Sequence, residues 1–176
     1  MFNIDYLRQC PVYGIESGTF STFENRDFCP SEEPVWLLGV KYSTLHELEE
    51  LMNDFRTRIW MTYRTGFAPI GGNGPSSDSG WGCMLRCGQM VMAQAIILKH
   101  LGRDWRWTPS FNKISDEHIQ ASKVFSNFST YLKVLSLFQD KKNAPYSIHQ
   151  IAQMGASEGK PVGTWFGPNT IAQALK

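Results

Sequence analysis

The stretch "GPSSDSGWGCMLRCGQM" runs from Gly74 to Met90. Its first half is built almost wholly of small residues. A tryptophan follows, then two cysteines four positions apart. From Gly71 to Gly82 the chain is mostly Gly, Ser, Asn, Asp and Pro, a composition that makes loop. From Met84 to Leu101 the apolar residues fall nearly all round a helical wheel, which predicts a buried helix. Gly102 just beyond is placed to end it. Cys83 therefore stands where a loop becomes a helix. A helix start offers unpaired N–H groups and about half a unit of positive charge. Both favour a thiolate, the reactive form of cysteine. The glycines on either side of Trp81 let backbone or substrate come close to the sulfur.

Position alone leaves two readings of Cys83 open, a nucleophile or a small core residue. Cys87 lies one turn further into the apolar segment and is expected to be buried and inert. A metal reading of the pair has little support, because no second pair with ligand spacing exists. No cofactor is expected.

Outward from this stretch the chain reads as one α+β domain. The 176 residues suffice for a real core; 42% are apolar and 19% charged, which is globular and not disordered. Net charge is +1, and no basic run exceeds Lys141-Lys142, so no nucleic-acid partner is expected. The opening "MFNIDYLRQC" has Asp5 and Arg8 where a signal peptide needs an apolar stretch, so none is expected, and no apolar segment is long enough to span a bilayer. The expected setting is cytoplasmic. Four cysteines in a chain this long, Cys10, Cys29, Cys83 and Cys87, read as free thiols.

Residues 1–33 lack periodicity and are read as an arm. "PVWLLGVKY" suits a buried strand or turn. "STLHELEELMNDFRTRIWMTYR" has helical periodicity, with Leu45, Leu48, Leu51, Met52, Phe55 and Ile59 on one stripe and Ser43 or Thr44 placed to cap it. His118 to Phe138 reads as an amphipathic helix. "YSIHQIAQMG" is another, stopped by Gly155. Asn169 or Thr170 is placed to cap a closing helix, "IAQALK".

The segment "GGNGPSSDSGWGCMLRCGQM" resembles the active-site segment of the autophagins, the autophagy-related cysteine proteases. The likeness extends to "RIWMTYR", "HLGRDWRW", "PYSIHQIAQMG" and "GTWFGPNTIAQALK", and covers about residues 34–176. The resemblance implies a papain-like α+β fold with the nucleophile at the start of a central helix. It implies cleavage of ubiquitin-like autophagy modifiers after a C-terminal glycine, and their release from phosphatidylethanolamine at membranes. It makes Cys83 the nucleophile and Tyr63 a donor to the oxyanion. It makes Trp165 the wall of the groove for the substrate's terminal glycine. Read without it, Tyr63 is an ordinary half-buried tyrosine and Trp165 a packing anchor.

A cysteine nucleophile needs a base oriented by a third group. His100 lies ~25 Å along the same helix, at about 1.5 Å per residue. His46 and His118 sit among acidic residues and read as solvated. His149, on a mostly apolar segment, reads as a satisfied core histidine. The family takes its histidine and aspartate from an Asp-Pro-His motif, which does not occur here. The expectation is a truncated chain: residues 34–176 as the N-terminal part of the peptidase domain, its C-terminal half absent. Such a chain would be inactive alone, with apolar helix faces uncovered and low solubility. The alternative function is a remnant that binds the modifier without cutting it. A third reading is a thiol redox switch at Cys83 and Cys87. An aromatic-x-x-aliphatic run, Tyr131 to Val134, falls within a predicted helix and carries little weight as a modifier-binding motif.

Overall fold

The computed structural model describes residues 31–107 and 123–176. Two short strands come first, β1 (Val35–Leu37) and β2 (Val40–Tyr42), paired antiparallel with Val35 opposite Tyr42 and Leu37 opposite Val40. Leu38 and Gly39 join them, both with positive φ (46° and 83°), which matches the right-handed twist of a two-residue hairpin. The expected strand or turn is thus a hairpin, with Trp36 on its exposed side.

Helix α1 covers Leu48–Arg56, later in starting and earlier in stopping than its apolar pattern suggests. Neither Ser43 nor Thr44 caps it. The Thr44 hydroxyl is engaged with the backbone of Ser31 instead, and the N-cap position is Glu47, with no side-chain cap. Leu51 and Met52 are buried as expected, but Leu45 and Phe55 are exposed. Asp54 and Thr57 take buried positions in their place. The helix stops where the Thr57 hydroxyl donates to the Asn53 carbonyl (2.7 Å) and Arg58 folds back onto Asp54.

Helix α2 spans Cys83–Leu101 and ends on Gly102, at φ 84°. It is the spine of the molecule. Its first turns place Leu85 in one apolar cluster with Phe67, Trp81, Ile148 and Phe166. Its later turns place Ala93 and Ile97 in a second, with Met61, Val134 and Phe138. Burying a side chain such as Leu85 fully contributes about 1.5–3 kcal/mol. The helix is not buried all round: Cys87, Val91 and Leu98 lie on an exposed stripe, Val91 being 71% exposed.

The remaining helices close on α2. Helix α3 (Lys123–Ser136) packs along its later turns; the start expected at His118 lies outside the described residues. Helix α4 (Ile148–Ser157) is capped by Ser147, whose hydroxyl accepts from the Gln150 N–H at 3.2 Å. Gly155 does not stop it. That glycine sits inside the helix, and the Phe166 ring occupies the space a Cβ would need. Helix α5 (Pro168–Ala174) begins at Gly167 with Pro168 in its first turn, ahead of the expected Asn169 or Thr170. It crosses α2 at Gly88, where a side chain would strike Ile171. The described elements are one small hairpin and five helices, consistent with the expected α+β class. The expected arm, residues 1–33, lies almost wholly outside the described residues.

Candidate functional site

Cys83 is the first residue of α2 and is half-buried. It opens into a cleft of about 280 Å³ lined by Trp60, Met61, Thr62, Tyr63, Cys83, Arg86, Cys87 and Met90. Two loops bring the wall and floor together. The segment after α1 runs extended past Tyr63 and bridges antiparallel at Thr65 to Ser77. The Ser/Gly loop then turns through Gly80, at φ 84°, a conformation that suits glycine.

Asp78 fixes this turn. Its carbonyl accepts from the N–H groups of Trp81 (3.2 Å) and Gly82 (2.8 Å). Its buried carboxylate accepts from the Arg64 N–H (2.6 Å) and from Arg86 Nε (2.7 Å). Gly82 rides directly on that carboxylate, where a Cβ would collide. No described group accepts from the N–H of Cys83. The first turn of α2 therefore presents an unused donor beside the sulfur.

Tyr63 reaches the same point from the other side. The residue is 41% exposed, and it lines the cleft beside the Cys83 thiol. Partial burial pushes the phenol above its ordinary value of 10, and the neighbouring Cys83 and Asp78 push it the same way. The group is thus a protonated O–H donor at neutral pH.

Trp165 lies on the loop before α5 and is 70% exposed. Its indole N–H donates to the carbonyl of Gly80, which sets it at the rim of the same turn. Phe166, next in the chain, is the buried anchor of that loop. The three residues singled out in the sequence are therefore gathered around one helix start, although 102 positions separate Tyr63 from Trp165.

Cys87 departs from expectation. It is exposed and lines the cleft, because its apolar neighbours along the helix, Val91 and Leu98, are exposed too. Cys10 and Cys29 lie outside the described residues. Val134 is buried within α3, so the Tyr131–Val134 run is not presented as an extended motif. His149 is a core residue: its Nε2 lies 2.6 Å from the Ala68 carbonyl and its ring meets Phe67 edge-on. His46 and His100 are exposed, and His118 lies outside the described residues. No described histidine lines the cleft. Among the described residues no group of three or more His, Cys, Asp or Glu is placed to hold a metal ion, and no helix is long and apolar enough to cross a membrane.

A buried ionic network, missed in the sequence, lies behind the site. Arg86 Nη1 donates to Asp140 (2.9 Å) and Gln89 (3.0 Å), and Arg64 Nη1 donates to the other oxygen of Asp140 (2.9 Å). Burial alone would push the Asp140 carboxyl up; the Arg86 and Arg64 guanidiniums outweigh it and hold it below the usual range. An arginine inside an apolar helix was the available signal, since a buried cation demands a partner.

Residues 48–176 match the model of the peptidase C54 catalytic domain. The chain is 54% identical over 154 residues to the cysteine protease ATG4B of Gallus gallus, covering 88% of this chain and 36% of that protein. It is 55% identical over 150 residues to ATG4B of Xenopus laevis (85% and 35%) and 52% identical over 146 residues to ATG4A of the same species (83% and 33%). The chain thus spans about a third of the length of these curated relatives. A helix opening on a cysteine, with a tyrosine hydroxyl against its sulfur and a tryptophan at its rim, accompanies these matches, and the chain belongs to the peptidase C54 family.

Proposed function

We propose that this chain carries the nucleophile side of a cysteine protease site of autophagy, acting on ubiquitin-like modifiers after a C-terminal glycine. The observation that supports the reading is the meeting of three groups at one helix start: the Cys83 sulfur, its own unused N–H and the Tyr63 hydroxyl. The Cys83 thiolate attacks the glycine carbonyl. The oxygen that becomes negative is met by the Cys83 N–H and the Tyr63 O–H. Losing one such donor typically costs ~10²–10³ in rate. The tetrahedral adduct collapses, the amine leaves with a proton, and water hydrolyses the thioester. Trp165, exposed at the rim, walls the groove that admits a glycine tail and excludes larger side chains. With phosphatidylethanolamine as the amine, the same chemistry frees the modifier from a membrane in the cytoplasm.

A specific observation favours a second reading. The proton steps need an imidazole, and no described histidine reaches the cleft. On that reading the chain holds the modifier without cutting it, and the histidine and aspartate come from elsewhere.

The test is a modifier carrying a reporter after its terminal glycine, incubated with this chain and with Cys83→Ala. Cleavage that disappears in Cys83→Ala supports the protease reading. Capture without cleavage supports the binding reading. Neither cleavage nor capture overturns both.

A further inference from the structure

The proposed chemistry needs Tyr63 held against Cys83, yet the two come from different parts of the chain and Tyr63 is 41% exposed. An exposed phenol on an extended segment has no reason of its own to stay at one sulfur. One residue touches the backbone on both sides of the pair. Asp78 Oδ1 accepts from the Arg64 N–H (2.6 Å), and the Asp78 N–H donates to the Arg64 carbonyl (3.2 Å). Arg64 directly follows Tyr63. Asp78 Oδ2 accepts from Arg86 (2.7 Å), one turn below Cys83 on α2, and the Asp78 carbonyl takes the N–H groups of Trp81 and Gly82. The last of these leaves the next N–H, that of Cys83, without an internal acceptor. Asp78 is fully buried, so these bonds are not shared with water.

We propose that Asp78 is a positioning residue that sets the Tyr63 hydroxyl against the Cys83 sulfur, acting through the Arg64 backbone on one side and the first turn of α2 on the other. It touches neither the sulfur nor a substrate. The inference rests on the reading of Cys83 and Tyr63 given above.

The test uses the thiol itself and needs no histidine. Cys83 in the intact chain is alkylated with iodoacetamide near pH 7 and near pH 9.5, where an ordinary thiol is ionised, and the modified residue is located by peptide fragmentation. The readout is the ratio of the two rates. The ionisable groups around the sulfur are Tyr63, Arg86 and Cys87, with Asp78 behind them. Loosening of the loop changes both rates together and leaves the ratio; loss of a donor to the thiolate lowers it. Tyr63→Phe is expected to lower the ratio about tenfold, the scale of a hydrogen bond to a charged group. Asp78→Ala is expected to lower it by a similar factor in the parent chain and to add nothing in the Tyr63→Phe background.

A ratio that rises in Asp78→Ala overturns the proposal, since it marks Asp78 as a mere neighbouring charge. An unchanged ratio, or an equal drop in both backgrounds, overturns it as well. If Tyr63→Phe alone has no effect, the role of Tyr63 fails and the inference with it. Where Asp78→Ala does not fold, the pair Asp78→Leu with Arg86→Met removes both buried charges together, a replacement that buried ion pairs often tolerate. Because Arg86 is itself a charge beside the sulfur, the pair must lower the ratio more in the parent chain than in the Tyr63→Phe background; an equal drop in both, or an unchanged ratio, overturns the proposal equally.

Discussion

Two fully buried aspartates organise this molecule, and they do so differently. Asp54, on α1, is met by three arginines: Arg103 grips both its oxygens (2.8 and 2.5 Å), Arg58 lies at 3.0 Å and Arg106 at 3.6 Å, and the Tyr42 hydroxyl donates at 2.8 Å. Asp78 is met by one guanidinium, which Asp140 shares, and by backbone. The first cluster has a surplus of cation; the second pairs two aspartates with two arginines. The difference follows solvent. Arg58, Arg103 and Arg106 keep 16%, 20% and 27% of their side chains exposed, whereas Arg86 keeps 3%. Unbalanced charge is tolerable where water reaches the guanidinium and costly where it does not. The Asp54 cluster joins hairpin, α1 and the segment after α2, so it holds elements together. The Asp78 cluster holds individual N–H groups beside Cys83, so it holds a geometry.

The largest expected effect separates the two. Asp54→Ala strands three cations and should cost about 3–5 kcal/mol in urea unfolding, the range for breaking a buried pair from one side. A loss below about 1 kcal/mol, ordinary for an exposed pair, would remove Asp54 from its place as an organiser. Acid gives a smaller loss, because protonation removes the charge but leaves hydrogen-bonding groups in place. The Asp54 carboxyl is pushed up by burial and pulled further down by Arg103, Tyr42 and the other arginines, so its folded value lies below the ordinary 3.8. Asp140 is lowered too. Both contribute stability that is fully present above the unfolded value and lost as pH falls through the folded one. Unfolding free energy should therefore stay level toward neutral pH and decline below about pH 4. Asp54→Asn should flatten that decline, and an unaltered acid limb in Asp54→Asn would break the assignment. The smallest effect belongs to Arg106→Ala. Its guanidinium is the most exposed of the three, and the loss should be no more than about 1 kcal/mol. A cost equal to that of Asp54→Ala would show that the surplus charge is structural after all.

The same contrast explains what could be read from sequence. The start of α2 at Cys83 was legible, because a Gly/Ser loop gives way to an apolar run within two residues. His149 was legible as a core residue for the same local reason. Two helix openings also stand in the sequence: Ser147 as the cap before "IHQ" and Pro168 in the first turn of "PNTI". The end of α1 was not legible. Its apolar period continues to Ile59, but the chain leaves the helix at Thr57 and runs extended, which places Arg64, the residue after Tyr63, opposite Asp78. Exposure of Cys87 was hidden too, since an apolar wheel cannot say which face of α2 lies open. Least legible was Asp78. In a loop of serines and glycines an aspartate is unremarkable, and its partners lie 14 residues back and 8 ahead. Periodicity finds neighbours on one element; it does not find an acceptor shared between two.

The Trp165 clasp on Gly80 spans 85 residues, and the α5 crossing at Gly88 spans nearly as many. During synthesis α2 emerges long before the pieces that cover its first turns. At roughly 5–20 residues per second, Leu85 and its neighbours wait about 4–17 s for Phe166 and Ile171 to arrive. For that interval the nascent chain carries an uncovered apolar helix beginning with a thiol, and its demand for a chaperone falls in that window.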